Sequence, residues 1–144
     1  MYKKTMTYTD YNGTERTEDF YFDLNKAELL ELQVETDGGL ESIINKIIAE
    51  KNQKEMIKIF KMLLLKSYGK KSDDGKRFMK SEEITKEFVE NPAYADLFML
   101  LATNEMEAGN FVNGVTPKDL AVDQSKIVDM KAKLSGNVEV LNPV

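Results

Sequence analysis

The densest group of reactive side chains in the sequence is a run of cations around a turn between positions 70 and 80. Its members are Lys70, Lys71, Lys76, Arg77 and Lys80, with Tyr68 and Phe78 as aromatic neighbours. Cations interleaved with aromatic rings can bind single-stranded nucleic acid through phosphate contacts and base stacking. The net charge of −5 opposes that use, because an acidic protein is not broadly attracted to phosphate. We therefore favour a solvated face or an electrostatic contact with an acidic partner, and nucleic acid is the weaker alternative.

The turn inside this run carries acids in a pattern that partly matches a calcium-binding loop. Taking Gly75 as the sixth position of such a loop places Lys70 at the first position and Ser81 at the twelfth. Both positions need carboxylate ligands in a calcium loop. The spacing therefore predicts an ordinary turn over residues 72–75 rather than a metal site.

Proton-transfer chemistry has few suitable side chains in this chain. Histidine and cysteine are both absent, which removes the side chain best suited to proton transfer near neutrality and every thiolate. The neighbouring acids are Asp19 with Asp23, Glu82 with Glu83, and Glu105 with Glu107. Nothing in the sequence indicates a cleft that would separate the pKa values of such a pair, and no glycine-rich phosphate loop is present. We predict a non-enzymatic binding protein with no catalytic residue, no cofactor and no metal site.

Methionines are the second group of interest, because flexible thioether side chains suit surfaces that accept varied apolar helices. Four of the eight methionines fall in segments with helical patterning, namely Met56, Met62, Met99 and Met106. Most of them are expected to fill gaps in the core. Met62 and Met99 lie off the main apolar stripes of their helices, so these two are predicted to face a partner.

The element that opens the chain is predicted to be an antiparallel β-hairpin over residues 2–22. A two-residue turn at Asn12-Gly13 would put the apolar residues of the two strands on opposite faces. A three-residue loop with Gly13 left-handed in a bulge pairs Tyr2 with Phe22, and it gathers the large apolar residues on one face. An isolated hairpin is marginally stable, so this face should pack on the helices. Pairing of the hairpin's edges with a second copy or a partner remains open.

Capping residues and apolar periodicity predict a mainly helical body after the hairpin. The predicted helices run from Asn25 to about Val34, from Leu40 to Lys51, from Asn52 to Tyr68-Gly69, from Ser81, and from Asn91-Pro92, with a further turn or two from Thr103 through Val112. The charged stretch 70–80 is predicted to be a loop, and Gly69 a helix stop. The fold class is therefore α+β, with about five or six helices.

The length of 144 residues suits one ordinary domain. We predict a single α+β domain over residues 1–122, with the hairpin at 2–22 and the helical body at 25–122. Residues 123–144 are predicted to be an extension, with a possible helix and then a flexible tail. The start of the chain lacks the apolar core of a signal peptide, and no apolar stretch approaches the roughly 20 residues of a membrane span. A cytoplasmic location without membrane contact is expected.

Several short segments together resemble one known family. They are Tyr8-Thr9-Asp10-Tyr11-Asn12-Gly13, Thr17-Glu18-Asp19-Phe20-Tyr21-Phe22, Ile59-Phe60-Lys61, Leu65-Lys66-Ser67-Tyr68-Gly69, Asp74-Gly75-Lys76-Arg77-Phe78, Ala93-Tyr94, Leu97-Phe98, Phe111-Val112-Asn113-Gly114 and Pro117-Lys118-Asp119-Leu120. The chain is similar, over about Lys3 to Val122, to the tail assembly chaperones of siphophages and prophages of Gram-positive bacteria. These motifs carry no chemistry, so the assignment rests on overall similarity.

The resemblance implies a protein that binds the long, helical, aggregation-prone tape measure protein and helps tail tube subunits to polymerise around it. It also implies action in the bacterial host cytoplasm and absence from the mature virion. Self-association into a homo-oligomer is a further expectation. Two alternatives stay open: a small phage regulatory or nucleic-acid-binding protein that uses the basic loop 70–80, and a phage-encoded inhibitor of a host system.

Overall fold

A computed structural model describes residues 1–35, 39, 42, 45, 49 and 53–117. In chain order the elements are β1 (Tyr2–Thr9), β2 (Glu15–Phe22), α1 (Lys26–Glu35), α2 (Gln53–Ser67), β3 (Tyr68–Lys71), β4 (Phe78–Met79), α3 (Glu82–Val89), α4 (Pro92–Thr103) and α5 (Glu105–Val115). The predicted α+β class, with a leading hairpin and a helical body, is confirmed. The predicted helix over 40–51 falls almost wholly outside the described residues, and the predicted extension over 123–144 lies entirely outside them.

The first hairpin has the predicted register. Tyr2 lies opposite Phe22 and Tyr8 lies opposite Arg16, so the three-residue loop is confirmed. Gly13 has a φ of 83°, a left-handed conformation that glycine adopts without steric cost. The Asp10 carboxylate closes the loop by accepting the backbone N–H groups of Asn12 and Thr14, each at 2.9 Å.

A second hairpin lies where the sequence predicted a charged loop, and that prediction was wrong. β3 pairs with β2 through Tyr21↔Gly69 and with β4 through Lys71↔Phe78, which gives a four-stranded antiparallel sheet in the order β1-β2-β3-β4. The helix before it ends at Ser67, and Gly69 is a strand residue rather than a left-handed helix stop. A Cβ on Gly69 would lie 2.6 Å from Phe78 Cε2, so glycine is needed here for the close approach of the Phe78 ring.

Three of the six predicted helix starts are confirmed by side-chain caps. Asn25 and Glu28 exchange hydrogen bonds with each other's backbone N–H groups, which is the capping box that the sequence predicted. Ser81 caps α3 and Asn91 caps α4. The start of α5 is a correction, because its cap is Asn104 rather than Thr103 and the helix is 11 residues long. The Thr103 hydroxyl instead donates to the Met99 carbonyl within α4.

The core lies between one face of the sheet and the helices. The apolar stripe of α2 is buried as predicted, and its members are Met56, Ile59, Phe60, Leu63 and Leu64. Phe22 is fully buried at the centre of an aromatic cluster, with its ring centroid 5.6 Å from Tyr68 and 5.8 Å from Phe111. Tyr68 stacks on Phe88 with centroids 4.1 Å apart. Burying each such ring contributes roughly 1.5–3 kcal/mol, which anchors both hairpins to the helical body.

Candidate partner-binding surfaces

The first candidate surface is the basic hairpin, defined as residues 70–80. Three of its five predicted site residues contact groups of the same chain. Lys70 Nζ lies 3.2 Å from the Glu87 carboxylate, and Lys71 Nζ lies 4.4 Å from the centroid of the Tyr21 ring. These contacts hold two of the cations against β2 and α3.

Lys80 is the most deeply engaged cation of the basic hairpin. Its Nζ donates to the Asp23 carbonyl oxygen and to Glu28 Oε2, both at 2.7 Å. Only 22% of its side chain is exposed. Lys80 therefore fastens the end of β4 to the segment between β2 and α1, which is a structural task.

Lys76 and Arg77 remain at the tip of the basic hairpin, and both are exposed. Their backbone N–H groups donate to Asp74 Oδ1 and Ser72 Oγ. Gly75 has a φ of 74°, so the predicted turn over 72–75 is confirmed. The structure gathers all five cations in one hairpin, and it leaves the two at the tip facing solvent.

A groove of ≈ 460 Å³ lies between the basic hairpin, β2 and α3. Its charged and polar lining comprises Glu18, Asp19, Tyr21, Lys70, Lys71, Glu87 and Asn91. Carboxylates and ammonium groups are mixed along it, and the Lys70–Glu87 ion pair joins β3 to α3 within it. The groove therefore has no single sign of charge with which to select an anionic ligand.

The second candidate comprises two exposed methionines, Met99 on α4 and Met106 in the first turn of the next helix, α5, and we refer to these two residues together as the methionine surface. Met99 is 59% exposed and Met106 is 63% exposed. Sequence patterning singled out Met99, whereas Met106 was grouped with the methionines expected to fill gaps in the core. The other predicted site residue, Met62, is half-buried and packs against the core.

A hydrogen-bonded contact ties the methionine surface to the sheet. Glu107, one residue beyond Met106, accepts a hydrogen bond from the Tyr2 hydroxyl at 2.8 Å and one from Lys4 Nζ at 3.0 Å. The Lys4 ammonium group is the main cause that lowers the pKa of the Glu107 carboxyl. Burial is the main cause that raises the pKa of Tyr2, so its hydroxyl stays protonated and donates.

A second tyrosine–carboxylate contact lies on the same sheet face. The Tyr8 hydroxyl donates to Glu18, and Asn91 donates to the Tyr8 oxygen at 3.2 Å. The hydrogen bond to Glu18 raises the pKa of Tyr8. Because Asn91 also caps α4, this contact fixes the start of that helix against β1.

Two of the three acid pairs noted in the sequence lie in the first turns of helices. Glu82 and Glu83 occupy the first turn of α3, and Glu105 and Glu107 the first turn of α5, where carboxylates complement the helix dipole. Within the ranges 1–35 and 53–117 no group of three acids could hold a metal ion. None of the helices described there is long and apolar enough to cross a membrane.

A family model described as phage tail assembly chaperone matches residues 1–139, which is nearly the whole chain. Neither a curated protein nor a solved structure matches the sequence.

Proposed function

Because this chain belongs to the phage tail assembly chaperone family, we propose that it binds the tape measure protein reversibly and assists polymerisation of tail tube subunits. The family is one of assembly proteins. We propose in addition that the chain works by binding alone and catalyses no reaction. Its site of action is the host cytoplasm during assembly, and it leaves before the virion is complete.

The observation that carries this proposal is the exposure of Met99 and Met106, at 59% and 63%. Large apolar side chains left in water lose the stabilisation that burial would give them. A partner that covers them recovers it. Methionine adapts its shape to differently spaced apolar residues, which suits a chaperone that must cover many turns of a long helical protein.

Side-chain hydrogen bonds fix the positions of the two helices that carry these methionines. Asn91 and Asn104 cap the two helices that carry them, and Glu107 fastens the start of α5 to β1. Because the backbone is held in place, binding orders only the methionine side chains. The conformational entropy that the interface loses on binding therefore stays small.

Co-expression with the tape measure protein tests the proposal. We expect the wild-type chain to keep that protein in the soluble fraction and to co-purify with it. The double variant Met99→Ser with Met106→Ser should lose most of the complex, because the apolar contact is gone while the helices remain. The matched control is Val89→Ser, which removes an exposed apolar residue from α3 and should leave the complex intact.

Two outcomes would overturn parts of the proposal. If the tape measure protein precipitates with wild-type chain present and no complex is recovered, the chaperone role fails. If the complex survives the methionine variant but is lost when Lys76 and Arg77 are reversed to glutamate, the basic hairpin is the contact instead. Binding of single-stranded nucleic acid that disappears in the latter variant would favour the nucleic-acid alternative.

A further inference from the structure

The two outer edges of the sheet are built differently. β4 is two residues long and lies between Arg77 and Lys80, so charge and shortness protect it from pairing with another chain. β1 is eight residues long and pairs with β2 without a bulge. From Thr5 to Thr9 it carries neither a charge nor a proline. From Thr5 to Thr9 β1 therefore lacks the usual devices that keep an edge strand from pairing, and its two lysines are confined to its start.

The hydrogen-bond pattern of the first hairpin shows which backbone groups lie on the free edge. The Asp10 N–H donates to the Thr14 carbonyl at 2.8 Å, so Asp10 belongs to a hydrogen-bonded pair. Such pairs alternate along an antiparallel ladder. The even-numbered residues of β1 therefore bond to β2, and the N–H and C=O groups of Lys3, Thr5, Thr7 and Thr9 point away from it. No strand in the described part of the chain pairs with them.

We propose that β1 pairs in an antiparallel sense with β1 of a second copy across a two-fold axis, forming a sheet that continues through both copies. The charges favour this orientation. Lys3 and Lys4 lie together at the start of β1, so antiparallel pairing places the lysines of the two copies at opposite ends. Parallel pairing would put them side by side, and like charges directly opposite each other are destabilising.

The register follows from the same backbone pattern. Two strands bond to each other only where residues with free N–H and C=O groups lie opposite each other. One two-fold register uses the free backbone groups of all four residues, Lys3, Thr5, Thr7 and Thr9. It pairs Thr5 with Thr7 of the second copy and Lys3 with Thr9 of the second copy, with Met6 on the axis. In this register, threonines of the two copies lie side by side on the solvent-exposed face of the sheet. Thr7 and Thr17 already form such a pair within the hairpin, with their hydroxyl oxygens 2.9 Å apart. Such pairs stabilise neighbouring strands.

Cysteine cross-linking tests this interface and its register, because the chain has no cysteine of its own. In the proposed register Thr5 and Thr7 of different copies have Cα atoms about 5.5 Å apart, which is within the range of a disulfide. We expect an oxidised mixture of Thr5→Cys and Thr7→Cys proteins to give a cross-linked dimer that contains both variants. Each variant alone should stay uncross-linked. Cross-linking of either variant alone would overturn the register.

Sedimentation of charge variants tests the interface without oxidation. Thr5→Lys with Thr7→Lys places like charges opposite each other, and we expect self-association to weaken at least tenfold. Thr5→Lys with Thr7→Glu places opposite charges there and should restore it. The control is Thr17→Lys, which adds a lysine to the same face on β2, away from the edge.

This inference goes beyond the proposed function, and its failure is distinguishable, because the wild-type chain is measured alone. The pairing of two copies would be overturned if the wild-type chain sediments as a monomer and the mixture of Thr5→Cys and Thr7→Cys proteins gives no cross-link. If such a monomer binds a tail protein and the double-lysine variant abolishes that binding, the edge pairs with a strand of that protein instead.

Discussion

In the basic hairpin, Lys70, Lys71 and Lys80 contact a carboxylate, a ring and a carbonyl of their own chain. On the methionine surface, both side chains keep more than half of their area open. Lys80 thus helps to attach the short hairpin to the rest of the chain, and Lys70 and Lys71 add more exposed contacts, whereas the exposed methionines contribute little to folding. A group of unusual residues is a good candidate for binding only where the fold leaves it unused.

The largest expected loss of stability comes from adding a side-chain atom at Gly69, where the Phe78 ring of the basic hairpin packs on the backbone. A Cβ on Gly69 would lie 2.6 Å from the Phe78 ring and 2.9 Å from the Met79 carbonyl oxygen. We expect Gly69→Ala to lower the free energy of unfolding by about 2–3 kcal/mol, because the backbone contact cannot yield without moving β4. Urea denaturation measures this.

Gly75 in the same hairpin provides the control for that substitution. Its left-handed backbone strains alanine, but no atom lies within 4 Å of the added carbon. Gly75→Ala should therefore cost only about 1 kcal/mol. If the two variants were equally stable, the packing of Phe78 on Gly69 would not be what attaches the basic hairpin.

The next largest loss of stability is expected for Lys80, which is hydrogen-bonded within the chain, in comparison with Lys76 at the exposed tip of the basic hairpin. Lys80→Ala removes the donor to Glu28 Oε2 and to the Asp23 carbonyl oxygen, and we expect a loss of about 1–2 kcal/mol in unfolding free energy. Lys76→Ala should change it by less than about 0.5 kcal/mol. Thermal denaturation at neutral pH compares them, and equal losses would contradict the structural role of Lys80.

A smaller, pH-dependent effect belongs to the contact that holds the methionine surface to the sheet. The pKa of Glu107 is lower in the folded state than in the unfolded chain. The ionised carboxylate therefore stabilises the fold at pH values above the ordinary carboxyl pKa, and this stabilisation is lost as the pH falls through the lowered pKa of the folded state. We expect Glu107→Gln to cost about 1 kcal/mol at pH 7. Urea denaturation at pH 3 should show a smaller difference between variant and wild type, and a difference that grew on acidification would have the wrong sign.

The smallest effect on stability is expected on the methionine surface itself. Because Met99 and Met106 are mostly exposed, Met99→Ser with Met106→Ser should change the unfolding free energy by less than about 0.5 kcal/mol. Calorimetry of the purified variant measures this. A large loss would mean that these side chains serve the core rather than a partner.

The first hairpin was predictable from sequence down to its register, whereas the second was not. In β1 and β2 the alternation of apolar residues, taken with the turn signal at Asn12-Gly13, favours a three-residue loop over a two-residue turn, because only the former of these two registers puts Tyr2 and Phe22 on one face. β3 pairs with β2 through two residues, Gly69 and Tyr68. It depends on the Phe78 ring and on Lys80 reaching Glu28, 52 positions away in sequence. Contacts between residues so far apart in sequence leave no pattern of residue types within a short segment.

The candidate surfaces were predictable to a similar extent. The cations were found by composition, but their contacts with Glu87 and Tyr21 depend on the sheet that the sequence did not reveal. Met99 was found because it lies off an apolar stripe. Met106 was missed because it was grouped with the methionines expected to fill the core, and its 63% exposure depends on how α5 packs.

The salt dependence of binding to the tape measure protein tests the central claim most directly. An apolar contact at the methionine surface should keep its dissociation constant within about threefold as salt rises, because salt screens charges and not apolar burial. Met99→Ser with Met106→Ser should weaken binding at every salt concentration. A dissociation constant that rises by more than about tenfold over the same range, and that responds to Lys76 and Arg77 but not to the methionines, would contradict the claim.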